Sequence, residues 1–238
     1  MFKILTKGKI ITVALTVFAI AFVTVWGCMG LDRHIRAANA PALYRPAVII
    51  DAGHGGVDSG ASAKDGTEEK GINLQIALRL RDVLVALGWD VTMTREEDIS
   101  IHDPSAVTIR QKKTSDLHNR MKIMEANPNA LFVSIHQNNF ESSRVSGAQV
   151  FYAPNVPEAK VLAQSIQQNL KTFVQPDNDF KAKASSDDIY LIHKAKSTAV
   201  LVECGFMSNP AESLRLRNSD YQGKLAMAIA DALTDHIG

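Results

Sequence analysis

Three short apolar runs, each closed by a polar residue, limit this chain to few folds: AVIID (residues 47–51), ALFVSIH (130–136) and TAVLVE (198–203). Brief runs rich in β-branched residues, with no polar alternation, read as strands buried on both faces, which is the habit of parallel sheets. Helical patterns lie between and after them. Ile72, Ile76, Leu80, Val83, Leu84 and Leu87 recur at helical spacing with Gly88 as the stop. Val161, Leu162, Ser165, Ile166, Leu170 and Phe173 supply one face of another helix. After Asn209-Pro210 a short helical stretch precedes a last helix over 220–236, marked by Leu225, Ile229 and Leu233. GAQVFYA (147–153) reads as a further strand, and FKAKASSDDIYLI (180–192) as polar residues leading into one. Strands alternating with helices imply a single α/β domain: a mostly parallel, twisted sheet with helices on both faces.

The polar residues at the ends of the runs carry the chemistry. His54 follows the first run, His136 closes the second and Glu203 closes the third, so all three are expected outside the carboxyl edge of one sheet, where open α/β folds bind ligands. Glu69 opens the first helical pattern, and a helix returning to that edge brings its carboxylate to the two imidazoles. Two neutral imidazoles and one carboxylate form the three-ligand shell that suits a catalytic zinc with a fourth position open, whereas calcium or magnesium prefers oxygen. Zinc in such a shell lowers the pKa of its water to about 7 and polarises a carbonyl oxygen. Glu203 is then placed to take a proton and deliver it to a leaving amine.

Each of these residues also has a plainer reading. A lone His at a strand end is more often a hydrogen-bonded structural residue, and His34, His102, His118, His193 and His236 show how common that is. Glu203 is harder to dismiss, because a carboxylate abutting an apolar strand is desolvated and therefore has a partner or a task. Gly53, Gly55 and Gly56 fit neither GxGxxG nor GxxxxGK[ST], so GHGG reads as a tight turn carrying His54 rather than a phosphate cradle. Cys204 reads as a buried apolar filler, with a Cys–His nucleophile pair as the sharper alternative.

In combination, DAGHGGVDSGA, EKGINL, the MTR of residues 93–95, HNRM around Arg120, FVSIHQNN, GAQVFY and VLVECGFMSNP resemble the zinc-dependent N-acetylmuramoyl-L-alanine amidases that trim bacterial peptidoglycan. The likeness runs from about Ala47 to Ile237. It implies zinc ligands at His54, Glu69 and His136, Glu203 as the catalytic carboxylate, and cleavage of the amide joining the lactyl group of N-acetylmuramic acid to the L-alanine of the stem peptide. TIRQKKTSDLHNR (108–120) and TAVLVECGFMSNP (198–210) resemble in particular the germination-specific amidases of spore-forming bacteria. That likeness implies action on spore cortex ahead of muramic-δ-lactam formation. Some family members plug the zinc site with a long helical insertion. The interval from Asn138 to Gly147 is too short for one, so an open site is expected, controlled by a partner protein or by timing of expression. Arg120 matches a family position too and reads as an ion pair tying its helix, near 115–126, to the sheet, with substrate contact as the alternative. Asn138 is expected to hold a turn or orient a ligand. Lys181 and Lys183 read as a solvated loop face, with substrate carboxylates as the other reading.

With 238 residues and 46% hydrophobic content, one catalytic domain over 41–238 is sufficient, behind a segment of residues 1–40. The net charge of +1 gives no electrostatic case for nucleic acid. Lys3, Lys7 and Lys9 precede the uncharged run IITVALTVFAIAFVTVW (10–26), an export signal or membrane anchor. This places the domain outside the cytoplasm, in the cell envelope or the intermembrane space of a forming spore. Ala38-Asn39-Ala40 offers a cleavage site, although charged Asp32, Arg33 and Arg36 intervene, and Cys28 belongs to the membrane segment. The expected partners are peptidoglycan, the membrane and, where activity requires one, a protein activator. Two other functions fit the same fold. A zinc carboxypeptidase on stem peptides needs an Arg-centred pocket for a terminal carboxylate; a non-catalytic peptidoglycan-binding module needs a ligand or the catalytic carboxylate to be missing, and all four are present.

Overall fold

The strands are β1 (Ala47–Ala52), β2 (Asp90–Met93), β3 (Leu131–Asn138), β4 (Gln149–Tyr152), β5 (Lys183–Ala184) and β6 (Ala199–Phe206), and they form one sheet in the order β2-β1-β3-β6-β4-β5. The computed structural model describes residues 45–237; the expected export or anchor segment, with Cys28 and Ala38-Asn39-Ala40, lies outside them. β2, β1, β3 and β6 are mutually parallel. β4 runs antiparallel to β6 for a topological reason: a short loop leaves β3 at the carboxyl edge and enters β4 there, without the crossover a parallel neighbour needs. β5 returns parallel to β4 after a crossover helix.

Among the described residues six helices accompany these strands: α1 (Glu69–Ala86), α2 (Ile109–Ala126), α3 (Pro157–Phe173), α4 (Tyr190–Lys194), α5 (Pro210–Leu216) and α6 (Ser219–Ile237). The alternation of side chains along each strand divides the core in two. Val48, Ile50, Val133, Ile135, Val200 and Val202 pack against the apolar stripes of α1, α3 and α6. Ile49, Phe132 and Leu201 face the other way, against Met121 and Met124 of α2 and Leu191 and Ile192 of α4. Helices therefore cover both faces, as the sequence pattern implies. α1 ends where Gly88 takes φ +86° and the N–H groups of Leu87 and Trp89 return to Val83 and Leu84. α2 starts at a capping box, the Thr108 side chain accepting from Gln111 N and the Gln111 side chain from Thr108 N.

The structure corrects the sequence reading in three places. β3 and β6 continue past His136 and Glu203, to Asn138 and Phe206, so these residues lie within strands rather than closing them. IYLI is not a strand: Tyr190–Lys194 is a helical turn, and the strand before it spans only Lys183–Ala184. A run of four apolar residues cannot separate a strand from a buried helix segment by periodicity. On α3, Val161 and Phe173 are 59% and 62% exposed, and the buried stripe is Leu162, Ile166 and Leu170. Val161 sits one residue, about 100° of rotation, off that stripe.

Candidate metal centre

The strand alternation that sorts the core also places the polar groups. Continuing outward from Ile49, Phe132 and Leu201 puts Asp51, Ser134, His136 and Glu203 on the α2 face, at the carboxyl end of the sheet. His136 and Glu203 are direct partners across the β3–β6 ladder, just before a register shift between His136 and Asn138. Bulges of this kind re-aim side chains beside functional sites.

The GHGG turn brings in the second imidazole. His54 has φ +62°, with Gly55 and Gly56 also at positive φ, and reciprocal Gly55–Asp58 backbone hydrogen bonds of 3.0 and 3.1 Å close the turn. A left-handed, non-glycine residue is strained and needs support. Arg120 Nη2 donates to His54 O at 2.7 Å, and Asp58 Oδ2 holds His54 Nδ1 at 2.8 Å. Gly53 is required sterically: a Cβ there would lie 2.1 Å from His136 Nε2. Arg95, the arginine of MTR, staples the turn to α1 by donating to Ala52 O, Gly53 O and Lys70 O.

Glu69, the first residue of α1 and 3% exposed, lies between the two rings. Its Oε2 is 3.3 Å from His54 Nε2 and its Oε1 3.1 Å from His136 Nδ1. Asn73, one turn along the helix, and Gln137 N donate to Oε1, and Ala61 N donates to Oε2, so both oxygens are fixed in place. Burial pushes the Glu69 carboxyl up, but the two histidines outweigh it and hold the group well below the usual carboxylate range. Burial likewise pulls His54 down, while Asp58 and Glu69 prevail and raise it to about 9.

His54, Glu69 and His136 offer ligand atoms that all lie within 4.8 Å of one another. Bond lengths of about 2.0–2.2 Å in a tetrahedron put ligand atoms about 3.4 Å apart, so the two imidazole–carboxylate spacings suit a zinc-sized ion. The donor set, nitrogen-rich with one carboxylate, suits zinc over calcium or magnesium. Asp58 on His54 Nδ1 fixes that ring with Nε2 toward Glu69, and Lys113 Nζ holds the other Asp58 oxygen at 2.7 Å.

Glu203 stands beside this group. Its Oε2 is sealed from solvent with no hydrogen-bond partner among the described residues. Burial raises its carboxyl, Glu69 adds to that and His136 opposes it, and the result is about 7. A carboxylic acid balanced near neutrality beside a ligand cluster has the properties of a general acid–base group.

Other residues singled out in the sequence take plainer roles. Arg120 is buried, paired with Asp51 and Asp116, and ties α2 to the sheet. Asn138 holds a turn: its Oδ1 accepts from Asn139 N and its carbonyl from Met207 N. Lys181 and Lys183 are exposed. Cys204 points to the opposite face from Glu203 and is fully buried, and burial pushes its thiol far up, which removes the thiol-nucleophile reading. Among the described residues no helix lies between β3 and β4 to cover the His54–Glu69–His136 cluster. The donors of Arg95 and Arg120 go to backbone carbonyls and to Asp51 and Asp116, so neither forms the carboxylate pocket of a carboxypeptidase. Asp58, Asn73 and Arg95 were not singled out in the sequence for these roles. An acid four residues after His54 and an amide four after Glu69 were the available signals.

A family model described as N-acetylmuramoyl-L-alanine amidase matches residues 48–235. The germination-specific N-acetylmuramoyl-L-alanine amidase of Bacillus subtilis is 35% identical over 182 residues, 76% of each chain. AmiA of Escherichia coli, another N-acetylmuramoyl-L-alanine amidase, is 26% identical over 231 residues, 79% of this chain and 75% of that one. The CwlD amidase from Clostridioides difficile, solved in complex with the GerS lipoprotein, superimposes with a TM-score of 0.78 at 41% identity, covering 81% of this chain and 98% of that one. Fold, ligand cluster and a match spanning nearly every described residue agree: the chain belongs to the N-acetylmuramoyl-L-alanine amidase family.

Proposed function

We propose that this chain is a zinc-dependent peptidoglycan hydrolase. It cleaves the amide between N-acetylmuramic acid and the L-alanine of the stem peptide, with His54, Glu69 and His136 as zinc ligands and Glu203 as the proton carrier. The observation that carries the reading is the unpartnered, sealed Oε2 of Glu203 directly across the ladder from His136. A buried carboxyl without a partner is costly, and beside three ligands its use is in the reaction. Zinc bound there supplies Lewis acidity and a water of lowered pKa. The protein's own groups do the rest. Asp58 orients His54, while Asn73, Ala61 N and Gln137 N orient Glu69. Glu203 accepts a proton from the attacking water and passes it to the departing L-alanine nitrogen, leaving a lactyl carboxylate and a free amine.

The likenesses to the germination-specific amidase and to the CwlD amidase support a role in spore cortex, ahead of muramic-δ-lactam formation. They also support control by a protein partner, since the CwlD amidase was solved with a lipoprotein. Residues 1–40 fit a signal or anchor holding the domain 41–238 outside the cytoplasm; among the described residues no helix is long and apolar enough to cross a membrane. Mass spectrometry of muropeptides, after the protein meets purified peptidoglycan with zinc or with chelator, tests the reaction. The expected result is zinc-dependent release of intact stem peptides bearing a free L-alanine amine. Release of a C-terminal amino acid instead would identify a carboxypeptidase.

A further inference from the structure

We infer that a small cleft beside the metal site receives the stem peptide on the amine side of the bond being cut. The inference rests on the amidase reading and specifies its substrate contacts. The cleft, about 220 Å³, lies between the loop entering α1, the end of β6 and α5, with Ala63, Lys64, Met207, Leu214 and Arg217 among its walls. Two backbone hydrogen bonds tie its walls to the catalytic edge. Ala61 N, two residues before Ala63, donates to Glu69 Oε2, and Met207 N donates to the carbonyl of Asn138, two residues beyond His136. Met207 itself follows Glu203 by four positions on the same strand and turn.

Size and lining argue for peptide over glycan. Pockets that enclose a drug-sized ligand measure about 300–1,000 Å³, so this cleft holds one or two side chains and not a run of sugar rings. Its walls are mainly apolar, and Leu214 is 64% exposed with nothing in the described residues covering it. Among its charged wall residues Lys64 and Arg217 outweigh Asp65, and the excess positive charge favours a carboxylate. Lys64 has no ion pair among the described residues. Arg217 is fixed by Asp65 at 2.6 Å, Thr67 at 3.2 Å and the Ser213 carbonyl at 3.2 Å, bonds made through Nη1 and Nε, leaving Nη2 without a hydrogen bond among those residues. With Asp65 already paired to it, Arg217 offers a bound carboxylate one fixed donor, Nη2, and not the full two-nitrogen fork.

The test compares two substrates, N-acetylmuramoyl-L-alanine and N-acetylmuramoyl-tetrapeptide, on the zinc-loaded full chain and its Lys64→Glu and Leu214→Asp variants. Both positions are exposed, so the fold tolerates the changes. The expected result is a preference of the unmodified protein for the tetrapeptide, about tenfold or more in kcat/KM. In both variants that preference collapses through a raised KM on the longer substrate, and the released stem tetrapeptide stops acting as a competitive inhibitor. Equal kcat/KM on the two substrates in the unmodified protein, or a preference unchanged in both variants, overturns the subsite while leaving the amidase standing. Cleavage of neither substrate, by a zinc-loaded protein that also releases no stem peptides from purified peptidoglycan or spore cortex, overturns the amidase reading, and the subsite with it.

Discussion

Glu203 shows how one position can be poor for folding and suited to chemistry. Its ordinary carboxyl value is 4.5, and the site raises it to about 7. Between those values the zinc-free folded state binds a proton that the unfolded chain has released, so stability falls as pH rises through the window and the full cost is reached above about 7. Glu203→Gln removes the ionisation. The zinc-free variant should be more stable than the parent by on the order of 2–3 kcal/mol at pH 8 and little different at pH 4.5. Zinc-loaded, it should keep its metal and lose about 10²- to 10⁴-fold in kcat, the usual share of a general acid–base group. Denaturant titrations at the two pH values, with a zinc assay and a rate, check all three. A variant that turns over at the parental rate would remove Glu203 from the mechanism.

At the scale of elements, the His54–Glu69–His136 cluster is positioned by what braces the turn after β1. Arg120 reaches from α2 into the sheet, where Asp51 is fully buried and also accepts from Thr94 and Ser134, and its other nitrogens serve Asp116 and the strained His54 carbonyl. Arg120→Met leaves Asp51 buried without its cation, a loss of about 3–5 kcal/mol in stability, and frees the His54 turn, so zinc affinity should fall with it. Lysine should not rescue either property, because it cannot present the same fork. Urea midpoints and zinc titrations of both variants decide this; a parental midpoint in Arg120→Met would reduce the ion pair to decoration. The role of Arg120 as a tie was legible in the sequence only as a preference, since Asp51 lies 69 residues away and nothing local pairs them. The strands were legible because a parallel sheet buried on both faces leaves uninterrupted apolar runs, and the gathering of His54, Glu69 and His136 because they stand near the ends of those runs or at the start of the helix between them. Asp58 and Arg95 were not, since their work depends on a turn whose shape the one-dimensional pattern does not carry. IYLI was misread and Val161 misplaced because apolar residues adjacent in sequence say little about which element, or which side of a helix, receives them.

For the whole molecule, the carboxyl edge of the sheet and not a roomy concavity among the helices marks the site. A concavity of about 630 Å³ against α1, α3 and α6 is lined by Arg79, Phe173, Asp220, Lys224, Met227 and Asp231 and carries no His, Cys or Glu, while His54, Glu69 and His136 converge from the turn after β1, from α1 and from β3 at the edge. An assembly of this kind couples metal, protons and fold. In the zinc-free protein the proton on His54, held between Asp58 and Glu69, contributes stability that is fully present below about 6.5 and lost as pH rises through about 9. Zinc requires the unprotonated nitrogen, so loading at pH 7.5 expels that proton, and apparent affinity should climb by up to about tenfold per pH unit until His54 titrates. At fixed zinc the stabilisation follows RT ln(1 + [Zn]/Kd), about 2.7 kcal/mol at a hundredfold excess over Kd, which for a domain of this size raises Tm by roughly 5–10 °C. Melting curves with and without zinc should therefore separate widely at pH 8 and narrowly at pH 6, and calorimetry in buffers of different ionisation enthalpy should count at least one proton released per zinc near pH 7.5. Equal separation at both pH values would mean that His54 does not carry its proton in the zinc-free site, and that the Asp58–His54–Glu69 chain orients the ring without charging it.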